Sequence, residues 1–285
     1  MRTVVHLSDL HFGDTQDAVV EPLIAKINQL TPDLLAVSGD LTQRARTRQF
    51  QSARRFLDAL PAAKIVVPGN HDVPLYNVFA RMRGLEKYRR HLGQDLEPFY
   101  ADGEIAVLGV NTARSLAFKG GRINKRQLLR IQERFCGIDE QAVKMIVSHH
   151  PFDLPEAYPP AALVGRAGMA MVGLADCKVD LFLAGHFHVG LATPTASRFK
   201  LGGRLALIVQ AGTATSNRGR GEANSFNVIR VRQPYVSVER FEWQSRRQTF
   251  VSAASGHFRR NDNGWSRIPS SDLRDEASLA TFRQC

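Results

Sequence analysis

Two aspartates, four histidines and an asparagine stand at five places in the chain where a metal-dependent reaction could be built. They are Asp9 with His11, then Asp40, then Asn70, then His149, then His186 with His188. Asp9 and His11 are two residues apart, as are His186 and His188, so on extended backbone each pair projects from one face. An aspartate after a strand is more often a turn former than a ligand, and a single histidine is usually satisfied by backbone groups. Here the candidates recur in order, each behind a short apolar run. Carboxylate, imidazole and amide oxygen together suit borderline-hard ions such as Mn, Fe or Zn rather than a thiolate site. His71 and Asp72 follow Asn70 directly, and His150 follows His149.

The apolar runs predict the elements that position these residues. Strands are expected at 3–7, 34–37, 64–67, 105–110, 143–147, 181–183 and 205–209, with a final alternating pair at 225–231 and 236–241 around Gln233-Pro234. Helical spacing of apolar residues covers 17–30, 48–60 and 125–135, and Pro32 and Pro61 close the first two. Strands alternating with helices imply an α/β fold with parallel pairing. Ligands of open α/β sheets gather at the carboxyl ends of strands, where every candidate falls. Beyond about Trp243 the composition turns polar and Arg-rich. The reading is therefore a domain over 1–243 and a C-terminal extension or arm over 244–285, dispensable for the site.

With 285 residues, 44% hydrophobic and 23% charged, the chain has the makeup of a soluble globular protein with a full core. No apolar run is long enough for a membrane helix, and no membrane partner is expected. Cys136, Cys177 and Cys285 are odd in number and widely spaced, which reads as a reducing compartment, the cytoplasm, rather than a disulfide framework. The net charge of +11 favours anionic partners, but no five basic residues run together. A small phosphorylated substrate fits this balance; nucleic acid is possible but not favoured. Nothing in the sequence fixes an oligomeric state.

Asp9-Leu10-His11, Gly39-Asp40, Gly69-Asn70-His71-Asp72, His149-His150-Pro151 and Gly185-His186-Phe187-His188 resemble the five signature blocks of the calcineurin-like metallophosphoesterases. Residues 37–42, 111–114 and 212–215 look most like the class III cyclic nucleotide phosphodiesterases within that family. The resemblance implies a four-layer αββα sandwich of two mixed β-sheets flanked by helices. It also implies two divalent or trivalent metal ions (Mn, Fe or Zn), with Asp9, His11 and His188 on one, Asn70, His149 and His186 on the other, and Asp40 bridging.

Two ions roughly 3.5–4 Å apart can supply a bridging hydroxide at neutral pH and clamp the phosphorus. About four positive charges against two carboxylates leave the centre attractive to phosphate. His71 is then the expected proton donor to the leaving oxygen, with Asp72 orienting its ring. His150, Arg114, Arg218 and Arg220 are candidate substrate contacts, His150 leaning to a packing role. The leading expectation is a phosphodiesterase acting on a small soluble diester such as a 3′,5′-cyclic nucleotide. A nuclease or phosphomonoesterase of the same family is the alternative, and a silent interaction scaffold the non-enzyme alternative.

Overall fold

The computed structural model describes residues 1–74, 84–114, 120–195, 199, 203–219 and 221–272. Two mixed sheets lie face to face. The first runs in the order β13-β12-β11-β10-β1-β2-β3 and the second β4-β5-β6-β7-β9-β8. In the first sheet β1 (Arg2–Leu7), β2 (Leu34–Ser38) and β3 (Ala63–Val67) are parallel. The strands β10 (Ser225–Arg232), β11 (Tyr235–Gln244), β12 (Thr249–Asn261) and β13 (Gly264–Ile268) extend it antiparallel. In the second, β5 (Ile105–Val110), β6 (Val143–Ser148), β7 (Leu181–Ala184) and β9 (Leu207–Gln210) are parallel, with β4 (Phe99–Ala101) and β8 (Leu191–Pro194) antiparallel at the edges.

The strand period of two sorts the core into three layers. Val4, Leu34, Ala36 and Val67 face Val107, Met145, Val147 and Leu183 between the sheets. Their neighbours Val5, Leu7, Leu35 and Val37 turn outward against helices α1 (Asp17–Leu30) and α2 (Thr47–Asp58). Leu108, Val110, Ile146 and Phe182 turn the other way, against α4 (Lys125–Phe135) and α5 (Ala167–Gly173); the short α3 (Glu86–His91) packs beside α2. In α4, Leu128, Ile131 and Phe135 make the buried stripe, and the Asn124 side chain caps the start by accepting from Gln127 N–H at 2.9 Å. The result is the four-layer αββα sandwich expected from the motifs.

Two expectations are corrected. The segment after Trp243 is no arm as far as residue 268: β12 pairs with β11 along its length, from Tyr235↔Arg259 to Gln244↔Thr249. Phe250, Phe258 and Trp265 are buried in the sandwich, and Trp265 Nε1 donates to Asp180 Oδ1 at 2.9 Å. The sequence reads as polar there because the middle of β12, Ser252 to Ser255, is exposed. The second concerns the cysteines. Cys136 and Cys177 form a disulfide that ties the end of α4 to the turn before β7, which removes the ground on which a reducing compartment was expected. Cys285 lies outside the described residues. No helix among the described residues is long and apolar enough to cross a membrane.

Candidate metal centre

Every candidate ligand lies just past a strand's carboxyl end, and the loops that carry them are stitched together by backbone hydrogen bonds. Asp9 N–H donates to the Gly39 carbonyl at 3.1 Å and His11 N–H to the Asp40 carbonyl at 2.9 Å, joining the loops after β1 and β2. The loop after β9 is tied in by Thr213 Oγ1 to the Asp9 carbonyl (2.7 Å) and Thr215 Oγ1 to the Leu10 carbonyl (2.6 Å). Gly69 has to be glycine because a Cβ there would stand 2.1 Å from Asp40 Oδ1. Five of the candidates hold left-handed backbone: Asp9 (φ 52°), His11 (47°), Asp40 (51°), His186 (75°) and His188 (60°). Non-glycine residues avoid this region, so such crowding of strained positions marks a site rather than a set of turns.

The side chains converge in two adjoining groups. In one, Asp9 Oδ1 is 3.2 Å from His188 Nε2 and 3.5 Å from His11 Nε2. In the other, His149 Nε2 is 3.1 Å from Asn70 Oδ1 and 3.2 Å from His186 Nδ1. Asp40 Oδ2 lies between them, 3.7 Å from His11 Nε2 and 3.4 Å from His149 Nε2. The structure thus brings all seven residues to one place. Backbone carbonyls hold two of the rings: His149 Nδ1 donates to Ser38 O at 2.8 Å and His188 Nδ1 to Arg218 O at 3.0 Å, which turns both Nε2 atoms inward.

The donor set fits two cations. Asp9 Oδ1 and both ring nitrogens of His11 are buried and hydrogen-bond to no protein group. Buried polar atoms are rarely left so. Burial pushes the Asp9 carboxyl up, but the His11 and His188 imidazoles beside it more than offset this and hold it well below the usual range. Asp40 is likewise held low: burial opposes ionisation, and the His149 charge outweighs it. Two ionised carboxylates in a dry pocket require positive charge. In the protein alone His149 supplies it; burial lowers its pKa, yet Asp40 raises it more, to about 9. His186, lacking a carboxylate at comparable range, is pushed down to about 4 by burial and by the charge on His149.

His71 borders the site, with a ring nitrogen within 4.8 Å of Asp40 and His11 donor atoms. Its backbone N–H donates to Asp40 Oδ1 at 2.8 Å, its ring Nδ1 donates to the Gln43 carbonyl at 2.8 Å, and its ring lies edge-on to His11. Asp72 does not orient that ring, contrary to the expectation from the sequence. The Asn70–Asp72 turn sends its carboxylate inward, where it accepts from Gly69 N–H (2.9 Å), Leu41 N–H (3.1 Å) and Thr42 N–H (2.8 Å). It clamps the loop carrying Asp40 to the loop carrying Asn70. The group that orients His71 is the Gln43 carbonyl, and a backbone acceptor leaves no mark on a sequence.

Of the candidate substrate contacts, Arg218 reaches the site: its Nη1 is 3.3 Å from His71 Nε2 and 3.4 Å from Gln43 Oε1. Arg114 instead turns to Gln127 Oε1 and the Ala113 carbonyl, bracing the start of α4. His150 is buried with Nδ1 2.9 Å from Thr112 Oγ1, its ring 4.7 Å from that of His186. Arg220 lies outside the described residues. Ser8 and Ser38, which the sequence did not single out, contact the ligand set directly, and Gln43 holds His71.

A sandwich of this kind, with carboxylates and imidazoles gathered at its strand ends, defines a metallophosphoesterase, a hydrolase of phosphoester bonds. The family model for calcineurin-like phosphoesterase matches residues 2–190, and the chain belongs to that family. It is 25% identical over 206 residues to a probable cyclic nucleotide phosphodiesterase of Synechococcus, covering 65% of this chain and 73% of that one. It is 26% identical over 200 residues to the glycerophosphodiester phosphodiesterase GpdQ of Enterobacter lignolyticus, covering 65% and 70%. Among solved structures, a dimetal phosphatase from Danio rerio superposes with a TM-score of 0.60 at 13% identity, over 88% of this chain and 98% of that one. A purple acid phosphatase from yellow lupin gives 0.67 at 12% identity, over 89% and 53%. At these identities the two structures speak for the fold alone.

Proposed function

We propose that the protein is a two-metal phosphodiesterase acting on a small soluble diester, with 3′,5′-cyclic nucleotides first among candidates. The observation that carries this reading is the position of Asp40 between two ligand groups, with the His71 ring bordering them. Asp9, His11 and His188 would hold one ion, Asn70, His149 and His186 the other, and Asp40 both. When bound, such a pair supplies a nucleophile at neutral pH and draws electrons from the phosphoryl group.

The chain's own residues do the rest. The Gln43 carbonyl fixes the His71 ring so that Nε2 points toward Arg218 Nη1, and once Nε2 carries a proton His71 can hand it to the departing oxygen. Arg218, a donor with no acceptor capacity, is placed to take a phosphoryl oxygen beside it. A diester departs with a poorly stabilised alkoxide, so a positioned acid helps it most; the names of the relatives point the same way.

Side-by-side rates on bis-nitrophenyl phosphate, nitrophenyl phosphate and cyclic AMP at saturating Mn test the proposal. Diesters are expected to turn over faster, with cyclic AMP cleaved. A faster monoester with cyclic AMP untouched overturns the phosphodiesterase reading and leaves a phosphomonoesterase.

A further inference from the structure

Beneath the ligand groups lies a hydroxyl that the reaction itself does not use. Ser8 is fully buried, and its Oγ donates to Asp9 Oδ2 at 2.6 Å. The same Oδ2 accepts a second hydrogen bond, from His186 N–H at 2.9 Å. With Oδ2 taken twice, the carboxylate cannot rotate, and Oδ1 alone points toward His188 and His11. Ser8 Oγ also lies 3.2 Å from the Ser38 carbonyl, the acceptor that orients His149. A hydroxyl carries one proton, and the shorter contact to a charged oxygen takes it.

Gly185 shows how closely this contact is packed. A Cβ built there would stand 1.7 Å from Ser8 Oγ and 2.6 Å from Asp9 Oδ2. The glycine of Gly185-His186-Phe187-His188 is therefore required by space for the Ser8–Asp9 pair.

Building on the two-ion reading above, we infer that Ser8 is a positioning residue that makes Asp9 a one-oxygen ligand and thereby sets the affinity of the Asp9/His11/His188 group alone. Removing its hydroxyl leaves Oδ2 held by His186 N–H alone, so the carboxylate can turn and Oδ2 can compete with Oδ1. The group built on Asn70, His149 and His186 keeps its own anchors, since His149 is held by Ser38 O whether or not Ser8 is present.

The test is Mn(II) titration of metal-free protein by calorimetry, with stoichiometry checked by elemental analysis after dialysis. Ser8→Ala is expected to weaken one of two equivalents by roughly 10–100-fold, the usual effect of losing a group that orients a ligand, and to leave the other unchanged. Added to Asp9→Asn, it is expected to change nothing further. Two equivalents of wild-type affinity in Ser8→Ala overturn the inference, as does equal weakening of both, or a further loss in the Asp9→Asn background. A wild-type protein that binds fewer than two equivalents counts instead against the two-ion reading. Should Ser8→Ala fold poorly, judged by circular dichroism, Ser8→Cys, whose thiol is a weak donor in nearly the same volume, probes the same contact. It is expected to reproduce the selective loss, and unchanged binding of both equivalents there refutes the role of Ser8.

Discussion

Truncation after Trp243 separates an appended arm from an integral edge of the sheet. The cut removes β12 and β13, and with them Phe250, Phe258 and Trp265, all at most 1% exposed. At about 1.5–3 kcal/mol for each large apolar side chain withdrawn from water, the three contribute roughly 5–9 kcal/mol. That is comparable to the whole stability of an ordinary domain, about 5–15 kcal/mol. The cut also uncovers Phe241 and Trp243, which pack on Phe250 or on its neighbour Phe226, and leaves Asp180 Oδ1 without the Trp265 indole. The expected product is insoluble, or lacks cooperative melting and holds no Mn after dialysis. Trp265→Phe keeps most of the burial and loses only the Nε1–H donor; it is expected to cost about 1–3 kcal/mol, read from denaturant unfolding. A soluble 1–243 fragment that melts cooperatively and keeps wild-type metal content refutes the reasoning.

His71→Asn is expected to keep bound metal and to slow alkyl diesters by about 10²–10⁴-fold, with a much smaller loss for nitrophenyl leaving groups; an equal loss across leaving groups points to binding. Asp72→Asn places amide donors against Gly69 N–H and Leu41 N–H together, or against Thr42 N–H. It is expected to lower metal content and slow every substrate alike, whereas a loss confined to poor leaving groups restores the role of ring orienter. Metal affinity is expected to climb as pH rises from 6 to 9 and then flatten, because His149, raised to about 9 in the metal-free protein, must give up its proton to bind. Calorimetry in buffers of different ionisation enthalpy measures that proton; none released at pH 7 contradicts the assignment.

The central strands and the site were legible because each apolar run ends directly on its chemistry: 34–37 on Asp40, 143–147 on His149, 181–183 on His186. Helix α4 was readable to its limits, since Asn124 caps it and Leu128, Ile131 and Phe135 keep its period. β12 was not, because the small residues Ser252 to Gly256 interrupt the alternation between Phe250 and Phe258. The partnership of Asp72 was hidden for another reason. Adjacency in sequence pairs it with His71, while the tight turn at Asn70–Asp72 points the two side chains apart. A disulfide between Cys136 and Cys177, 41 residues apart, leaves no trace in spacing.

The ligand groups draw on both sheets, Asp9, His11, Asp40 and Asn70 from one and His149, His186 and His188 from the other. A nascent chain therefore cannot assemble the centre until β7 and the residues after it have been synthesised and the sheets have met. An ion bound there would join the two halves of the sandwich. Prying the sheets apart, thermally or mechanically, must first break those bonds.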